Sequence, residues 1–450
     1  GKTNPIKGIE KLGVSKVDLL IGAEAANSTN DTTVEVSKEV LKPYSNTIEQ
    51  VGLNNVSVKS GALTWNLESE TSNKGIKKAI LTKKSYVVFT GDTEIAKLAQ
   101  GLDERYRLSA LGSEERQLFT YLNSLGPNDK NLLEKAFKEI SGNQYINTQR
   151  RIKESSAVLD KEISDLYKEF DYSNETGSKI KTFVNSGKYD TNIDGIYDYK
   201  NQGYGIAYVY NNSDKKYGIT AGAGANTYKL KDDGKSKEKI NMLKVGAYKT
   251  FELGNAADWT LSGNGFYGRN EMERRYIVGN NEYSGKADYD VYGFGMRNEI
   301  SKKVRLGNNF VFKPYTALNT EYGKFENIKE KDGALRLEVK GNDYYSIKPE
   351  AGVEFNIEKP VFKNSKIKAS FSTGYEYELG KVDNLKNKAR LVGTSGQWYE
   401  LRKSKEEDKG NLKADVKVGF ETGNFGITLN GGYDTNGKNV RGGLGIKASF

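Results

Sequence analysis

The 450-residue chain carries 69 Lys and Arg against 59 Asp and Glu, with no Cys and no His. A chain this long can bury a core without disulfide or metal staples, and its length suits two or three domains. Lacking Cys and His, it has no thiol nucleophile, disulfide, thiolate or imidazole zinc site, or Ser-His-Asp triad, so most hydrolase mechanisms are excluded.

There are 49 Gly but 6 Pro, and 29 Tyr, 17 Phe and 3 Trp bring the aromatic share to 11% while the hydrophobic share is 36%. Disordered chains are as polar but lack aromatics. The combination suits long antiparallel sheet with one wet face. The net charge of +10 is spread thinly, and acids and bases alternate, so no basic stripe points to nucleic acid. No run of eighteen apolar residues predicts a transmembrane helix, but strands of about ten alternating residues cross membranes unnoticed by hydropathy averages. The opening Gly1-Lys-Thr-Asn-Pro5 is no signal peptide, which leaves a cytoplasmic protein or the mature tail of a longer precursor.

In chain order, residues 1–90 read as short strands (Thr33–Val36, Val51–Val58, Ala62–Leu67, Tyr86–Thr90) between Asn, Gly and Ser turns. The period then becomes helical. Ile95, Leu98, Ala99 and Leu102 form one face, Leu118, Leu122 and Leu125 a second, and Leu132, Leu133, Ala136, Phe137 and Ile140 a third, with breaks at Gly126-Pro127 and Ser141-Gly142. A further helix is predicted over 144–170, with Ile152, Leu159, Ile163, Leu166, Tyr167 and Phe170 apolar. It would be roughly 40 Å long, about the thickness of a bilayer. Arg150, Arg151, Lys153, Glu154, Asp160, Lys161 and Glu162 forbid lipid contact, so it is either an exposed arm or a helix inside a polar channel.

From Ser178 to Phe450 the period is two. Tyr345, Ile347, Pro349, Ala351, Val353, Phe355 and Ile357 alternate with polar residues or Gly, as do Ile367 to Leu379, Leu412 to Phe420 and Phe425 to Tyr433. These runs span about ten to fifteen residues, longer than sandwich strands, and nothing in the sequence would cover their apolar face except lipid. Strands are predicted at 178–190, 196–210, 216–229, 237–252, 257–270, 285–301, 308–324, 343–358, 364–379, 410–422, 424–435 and 438–450. The connections after even-numbered strands are short. Long ones are expected near 271–284, 325–342 and 380–409, where 388–402 could extend a strand beyond the membrane. Twelve strands with short turns on one side form a closed transmembrane barrel, whose lumen has room for one helix about 10–12 Å wide. The charged helix before strand one fits it.

The inward face of this reading carries Lys348, Glu350, Lys366, Lys368, Glu376, Asp415, Lys417, Glu421, Arg441 and Lys447, a solvated lumen balancing its own charge and no catalytic set. Gly203-Tyr-Gly205 and Gly293-Phe-Gly295 sit in strands and are not phosphate loops; Gly there lets a backbone approach or the barrel curve.

The order of strand-rich segment, helical linker, alternating strands and final Phe450 resembles the C-terminal translocator region of a classical type V autotransporter. The last strand, Val440-Arg-Gly-Gly-Leu444-Gly-Ile446-Lys-Ala-Ser-Phe450, is similar to the outer-membrane C-terminal signal. Leu337–Tyr345, Tyr375–Lys381, Gly431–Lys438, Arg441–Gly445, Gln144–Arg150 and Ala110–Gln117 resemble fusobacterial members in particular. The resemblance covers roughly 92–450. It implies an outer-membrane location, Leu444, Ile446 and Phe450 as the assembly signal, and insertion by the barrel-assembly machinery. It also implies a 12-stranded barrel anchoring its own N-terminal passenger at the cell surface, an adhesin in many members that meets host-cell ligands. On this reading residues 1–90 end the passenger, 91–142 form a helical linker, 143–177 hold the pore-spanning helix with its lead-in, and 178–450 are the barrel. No enzyme activity, cofactor or metal is implied. Some members cleave themselves beside an Asn pair; Asn211-Asn212 and Asn280-Asn281 fall in predicted turns, so no cleavage residue is carried over. A porin-like passive channel and a soluble adhesive β protein remain as alternatives.

Overall fold

A computed structural model describes residues 16–173, 176–254, 257–307, 309–382 and 386–450, with side chains of 170–173 excepted. Residues 1–15 of the predicted passenger segment and the Phe170 side chain lie outside it.

The N-terminal part opens with Val17–Ile21, which pairs in parallel with Val56–Ser60. Thr33–Glu35, Gly75–Lys83 and Trp65–Ser72 form an antiparallel three-stranded sheet. Between them lies helix α1, Lys38–Val51, in a segment read from sequence as strand and turn. Pro43 and the Ser45-Asn46-Thr47 run look like a break, but Leu41 and Ile48 are buried on one helical face that packs on Gly75–Lys83. Packing overrides the local signal here. The predicted strand at Tyr86–Thr90 is a 3₁₀ turn, Tyr86–Phe89, capped by Ser85.

Helices α2 (Thr93–Leu108), α3 (Glu114–Ser124) and α4 (Lys130–Ile140) follow. Asp92 accepts from the N–H groups of Glu94 and Ile95, and Ser113 from that of Arg116, capping α2 and α3. Their predicted faces meet in one core that buries Leu98, Leu102, Leu118, Leu122, Leu133, Phe137 and Ile140 with Trp65 and Tyr106, while Leu132 stays exposed. Lys83 lies under this core, 3.1 Å from Asp103 and 3.4 Å above the Tyr86 ring. Burial pushes its ammonium down to about 8, against the pull of Asp103. Between that value and the free-lysine value near 10.4 the unfolded chain holds more protons than the folded one. Stability of this region therefore rises with pH across that window and is flat below it. Thermal melts from pH 7 to 11 should show the rise, and Lys83→Met should remove it.

The remaining chain is a closed barrel. Its twelve strands are Gly177–Tyr189, Tyr199–Asn212, Tyr217–Leu230, Lys237–Gly254, Ala257–Val278, Asn281–Lys302, Phe310–Phe325, Asn342–Phe362, Ser365–Tyr377, Gly410–Thr422, Phe425–Asp434 and Asn439–Ser449. Each pairs antiparallel with its neighbours, and the twelfth closes on the first, Leu444 opposite Val184. Closure leaves no free edge. The connections after even-numbered strands are short turns, and the chain's two barrel ends meet on the same side, where Ser178 and Phe450 exchange backbone hydrogen bonds. Among the described residues no helix is long and apolar enough to cross a membrane.

Of the three predicted long connections, one is absent and the other two are long but folded. The stretch 271–284 is not a loop: strands five and six run on to a two-residue turn at Gly279-Asn280, where Gly279 has φ +64°. Connections 326–341 and 378–409 fold together, Ile328–Lys329, Leu337–Val339, Lys388–Leu391 and Tyr399–Glu400 forming a small four-stranded sheet over the mouth.

The reason 271–284 misled the sequence reading is a change of polarity along the strand. In strand six Tyr292, Phe294, Met296 and Ile300 point outward and are exposed, while Arg297 and Glu299 point in. Toward the loop end the same inward parity carries the buried Tyr283, Ala287, Tyr289 and Val291, and the outward one Glu282, Lys286, Asp288 and Asp290. Below the inversion the outer face needs apolar residues; above it the outside is wet and the inside is packed.

The strand glycines have a specific use. A Cβ on Gly205 would stand 2.5 Å from Phe183 Cζ, and one on Gly293 2.5 Å from Phe266 Cζ. Each ring lies across from its glycine on the neighbouring strand. Backbone approaches these positions as well, as the sequence suggested: the Ala223 carbonyl oxygen would lie equally near a Cβ on Gly205, and the Tyr322 carbonyl oxygen nearer still to one on Gly293.

Candidate functional site: the plugged lumen

Helix α5, Thr148–Ser173, lies inside the barrel, entered through a 3₁₀ turn at Asn143–Tyr145. It starts at the loop-side mouth and ends at the turn side, beside the start of strand one. It is not centred. Leu159 and Ile163 press on Gly222 and Gly224 of strand three. Ile163, Leu166 and Tyr167 pack with Ala207, Val209 and Tyr248. Small residues on strands two and three let the helix lean on that wall.

The other faces of α5 are ion-paired to the wall and the mouth loops from Arg150 to Glu169. Near the mouth Arg150 binds Glu407 at 2.9 Å, Arg151 binds Glu238, and Lys153 binds Glu378 at 3.0 Å. Midway Asp160 meets Lys244 at 2.7 Å, Lys161 meets Asp415, and Glu162 meets Lys181. Toward the turn side Asp165 pairs with Lys417 at 3.3 Å, and Lys168 lies 3.8 Å from Glu299 and 3.7 Å from Glu354. Glu169 receives Lys447, Lys179 and Lys417. With these described charges each meeting an opposite charge, the helix can stay in a polar lumen without contacting lipid. Beside the helix a space of about 480 Å³ remains, its lining including Lys348, Glu350, Glu376, Lys413, Asp415 and Arg441.

The ten residues predicted to face inward are placed as follows. Lys348 binds Glu376 at 2.7 Å, and Lys413 bridges Glu350 and Glu376 at 2.9 and 3.1 Å. Arg441 contacts Asp415 and Asp434. Lys447 holds Glu421 as well as Glu169, Lys417 pairs as described above, and Lys366 and Lys368 share Glu358 and Glu421 near the turn side. Leu444, Ile446 and Phe450 point the other way and are exposed. The sequence reading did not name Lys181, Lys244, Arg297, Glu299, Lys313 or Glu321, although Arg297 binds Glu350 at 2.9 Å and Lys313 binds Glu299 at 3.0 Å. The same alternation, applied to strands one and four to seven, would have found them.

At the mouth a second network holds the entry turn. Arg274, from the strand-five extension, and Glu330, from the loop after strand seven, make a bidentate pair at 2.7 and 2.9 Å. Glu330 also accepts from the Tyr145 hydroxyl and the Leu337 N–H. Asn387 donates to the carbonyls of Tyr145 and Ile146 and to Gln149. The helical region rests on this layer: the Glu94 carboxylate accepts from the Glu400 N–H, Tyr399 donates to the Ser141 carbonyl, and Gly101 abuts Leu391.

A closed barrel with an apolar outer belt, a charged lumen and a helix leading through it from an N-terminal region defines an outer-membrane barrel that is threaded by its own chain. A family model described as Autotransporter beta-domain matches residues 179–445, more than half of the sequence, and the chain belongs to that family. It is an outer-membrane translocator of type V secretion. Among solved structures it is similar to the translocator domain of the autotransporter NalP from Neisseria meningitidis (17% identity, 68% of this chain and 99% of that one, TM-score 0.48). It is also similar to the beta domain of the Bordetella autotransporter Brka (14%, 61% and 100%, 0.42) and the transport unit of AIDA-I from Escherichia coli (12%, 61% and 91%, 0.43). No curated protein sequence matches the chain.

Proposed function

We propose that the arrangement is the state reached after translocation, with residues 16–142 the surface-exposed end of a passenger that the barrel anchors. The observation that carries this is the direction of α5: its N-terminus is at the loop-side mouth and its C-terminus is at the turn side, beside the start of strand one, so residues 16–147 already lie on the loop side. The parallel pair Val17–Ile21 and Val56–Ser60 suits the end of a β-solenoid, whose last rung needs a polar closure. The passenger is an adhesin that meets host-cell surface ligands. The barrel-assembly machinery reads Leu444, Ile446 and Phe450, and lipid covers the outer belt. The lumen charges line and hold the helix and perform no catalysis.

Protease added to intact cells should digest 16–142 and spare the barrel. Protection until the outer membrane is opened would place this region in the periplasm and overturn the reading. Deleting residues 144–170 should raise single-channel conductance severalfold. Unchanged conductance would mean the helix does not plug the pore, and would favour the passive channel.

A further inference from the structure

The outer face carries a row of lysines that the translocation reading does not use. Lys188, Lys200, Lys229 and Lys237 belong to strands one to four and stand directly opposite one another: Lys188 faces Lys200, Lys200 faces Lys229, and Lys229 faces Lys237. Their strand neighbours Tyr189, Tyr199, Tyr228 and Glu238 are buried inside, so alternation turns all four lysines outward; Lys200, Lys229 and Lys237 are exposed. Like charges directly across a ladder are destabilising. The charged groups around the row relieve only its ends. Lys188 pairs with Asp190 at 2.8 Å, and Asp190 and Asp198 are also engaged by Lys231. Glu273 lies opposite Lys237 but binds Arg275 at 2.9 Å, and Glu271 lies opposite Lys239. Among the described residues Lys200, Lys229 and Lys237 make no ion pair.

The depth of the row decides what can neutralise it. Two residues nearer the turn side, Ser186, Gln202, Thr227 and Lys239 form an aligned polar row. Two further on come Val184, Tyr204, Ala225 and Asn241, where the apolar belt begins on strands one to three. Four residues on a tilted strand rise about 10 Å above that edge. The headgroup layer is roughly 5–7 Å deep on each side, so the row stands at its outer margin, from which flexible lysine side chains reach down to headgroup phosphates.

We propose that the row is a binding site for the phosphate-bearing headgroups of an anionic glycolipid in the surface leaflet. Adjacent ammonium groups about 5 Å apart can each meet a phosphate oxygen, and Ser186, Gln202 and Thr227 below them offer hydrogen bonds to sugar hydroxyls. The site rests on the reading that the loop end faces the surface leaflet, but the assay below does not depend on orientation.

The test uses the full chain in a neutral detergent, titrated with a bis-phosphorylated diglucosamine lipid and followed by direct binding and by the thermal-unfolding midpoint. Wild-type protein should bind and be stabilised, with affinity falling as salt is raised. The variant Lys200→Gln/Lys229→Gln/Lys237→Gln should bind roughly 100-fold more weakly, about fivefold per lysine, while keeping its heat-modifiable barrel. The corresponding Arg variant should retain binding. Equal binding by wild type and the Gln variant, or by the phosphorylated and dephosphorylated lipids, would overturn the proposal. Competition by millimolar inorganic phosphate as effective as the lipid would show a free-phosphate site and also overturn it. If the Gln variant fails to fold, Lys229→Gln alone should still weaken binding about fivefold, and no change there would count against the site.

Discussion

Glu330→Leu is expected to cost about 3–5 kcal/mol and to release the mouth of the barrel. Arg274 and Glu330 are 0% and 1% exposed, and removing the carboxylate leaves a guanidinium with no counter-charge in a site closed to water. The change also strips the Tyr145 hydroxyl and the Leu337 N–H of their acceptor, each worth about 1–3 kcal/mol when left buried and unpaired. Adding Arg274→Met should recover part of the loss, since the isolated charge goes but the two orphaned donors remain. The measurement is limited proteolysis of purified protein, read at 326–341 and at the 143–147 lead-in. Cleavage there should accelerate strongly in the single variant and less in the double. Similar resistance in all three proteins would show that the network is not what holds the entry turn.

Leu444→Lys and Ile446→Lys are both expected to reduce barrel yield, because both side chains face lipid, where a charge costs up to about 2–4 kcal/mol at the midplane. Lys447→Gln, on the opposite face, reads from sequence as a mild change in a wet lumen. The site itself is not wet: the Lys447 side chain is 4% exposed and sits between Glu169 and Glu421. Its loss remains tolerable, because Glu169 keeps Lys179 at 3.4 Å and Glu421 keeps Lys368 at 3.0 Å. The expected order of damage is therefore the lipid-facing Leu444→Lys and Ile446→Lys first and Lys447→Gln last. It is checked by the heat-modifiable fraction in outer-membrane preparations. A reversal of the first and last would mean the faces are exchanged, since a one-residue slip moves every side chain to the other side. Deleting Phe450 probes recognition instead. The residue is 78% exposed, so poor insertion after its loss could not come from lost burial.

The barrel was legible because membrane strands obey a strict local rule. Every second residue between Tyr345 and Ile357, or between Leu412 and Phe420, must suit lipid, and that requirement is written residue by residue with no need of a distant partner. Strand number, turn side and the inward set from Lys348 to Lys447 follow from the alternation alone. The helical faces around Leu98, Leu118 and Leu133 were readable for the same reason, as was the helix of the lumen, whose charges exclude lipid wherever it is placed.

Only tertiary structure decided the rest, because there the environment of a residue is set by what packs on it. Residues 271–284 read as a loop because their outward positions are charged; the inward ones, Met272, Tyr276 and Val278, are buried beneath a helical region far away in sequence. Helix α1 exists because Leu41 and Ile48 find the sheet ending at Lys83, despite Pro43. The lean of α5 onto Gly222 and Gly224, and the pairing of Arg274 with Glu330 across 56 residues, depend on contacts that no local period encodes. Membrane solvent imposes a repeating one-dimensional constraint that a sequence displays openly, whereas the mouth and its cap are held by singular contacts that exist only once the chain has closed on itself.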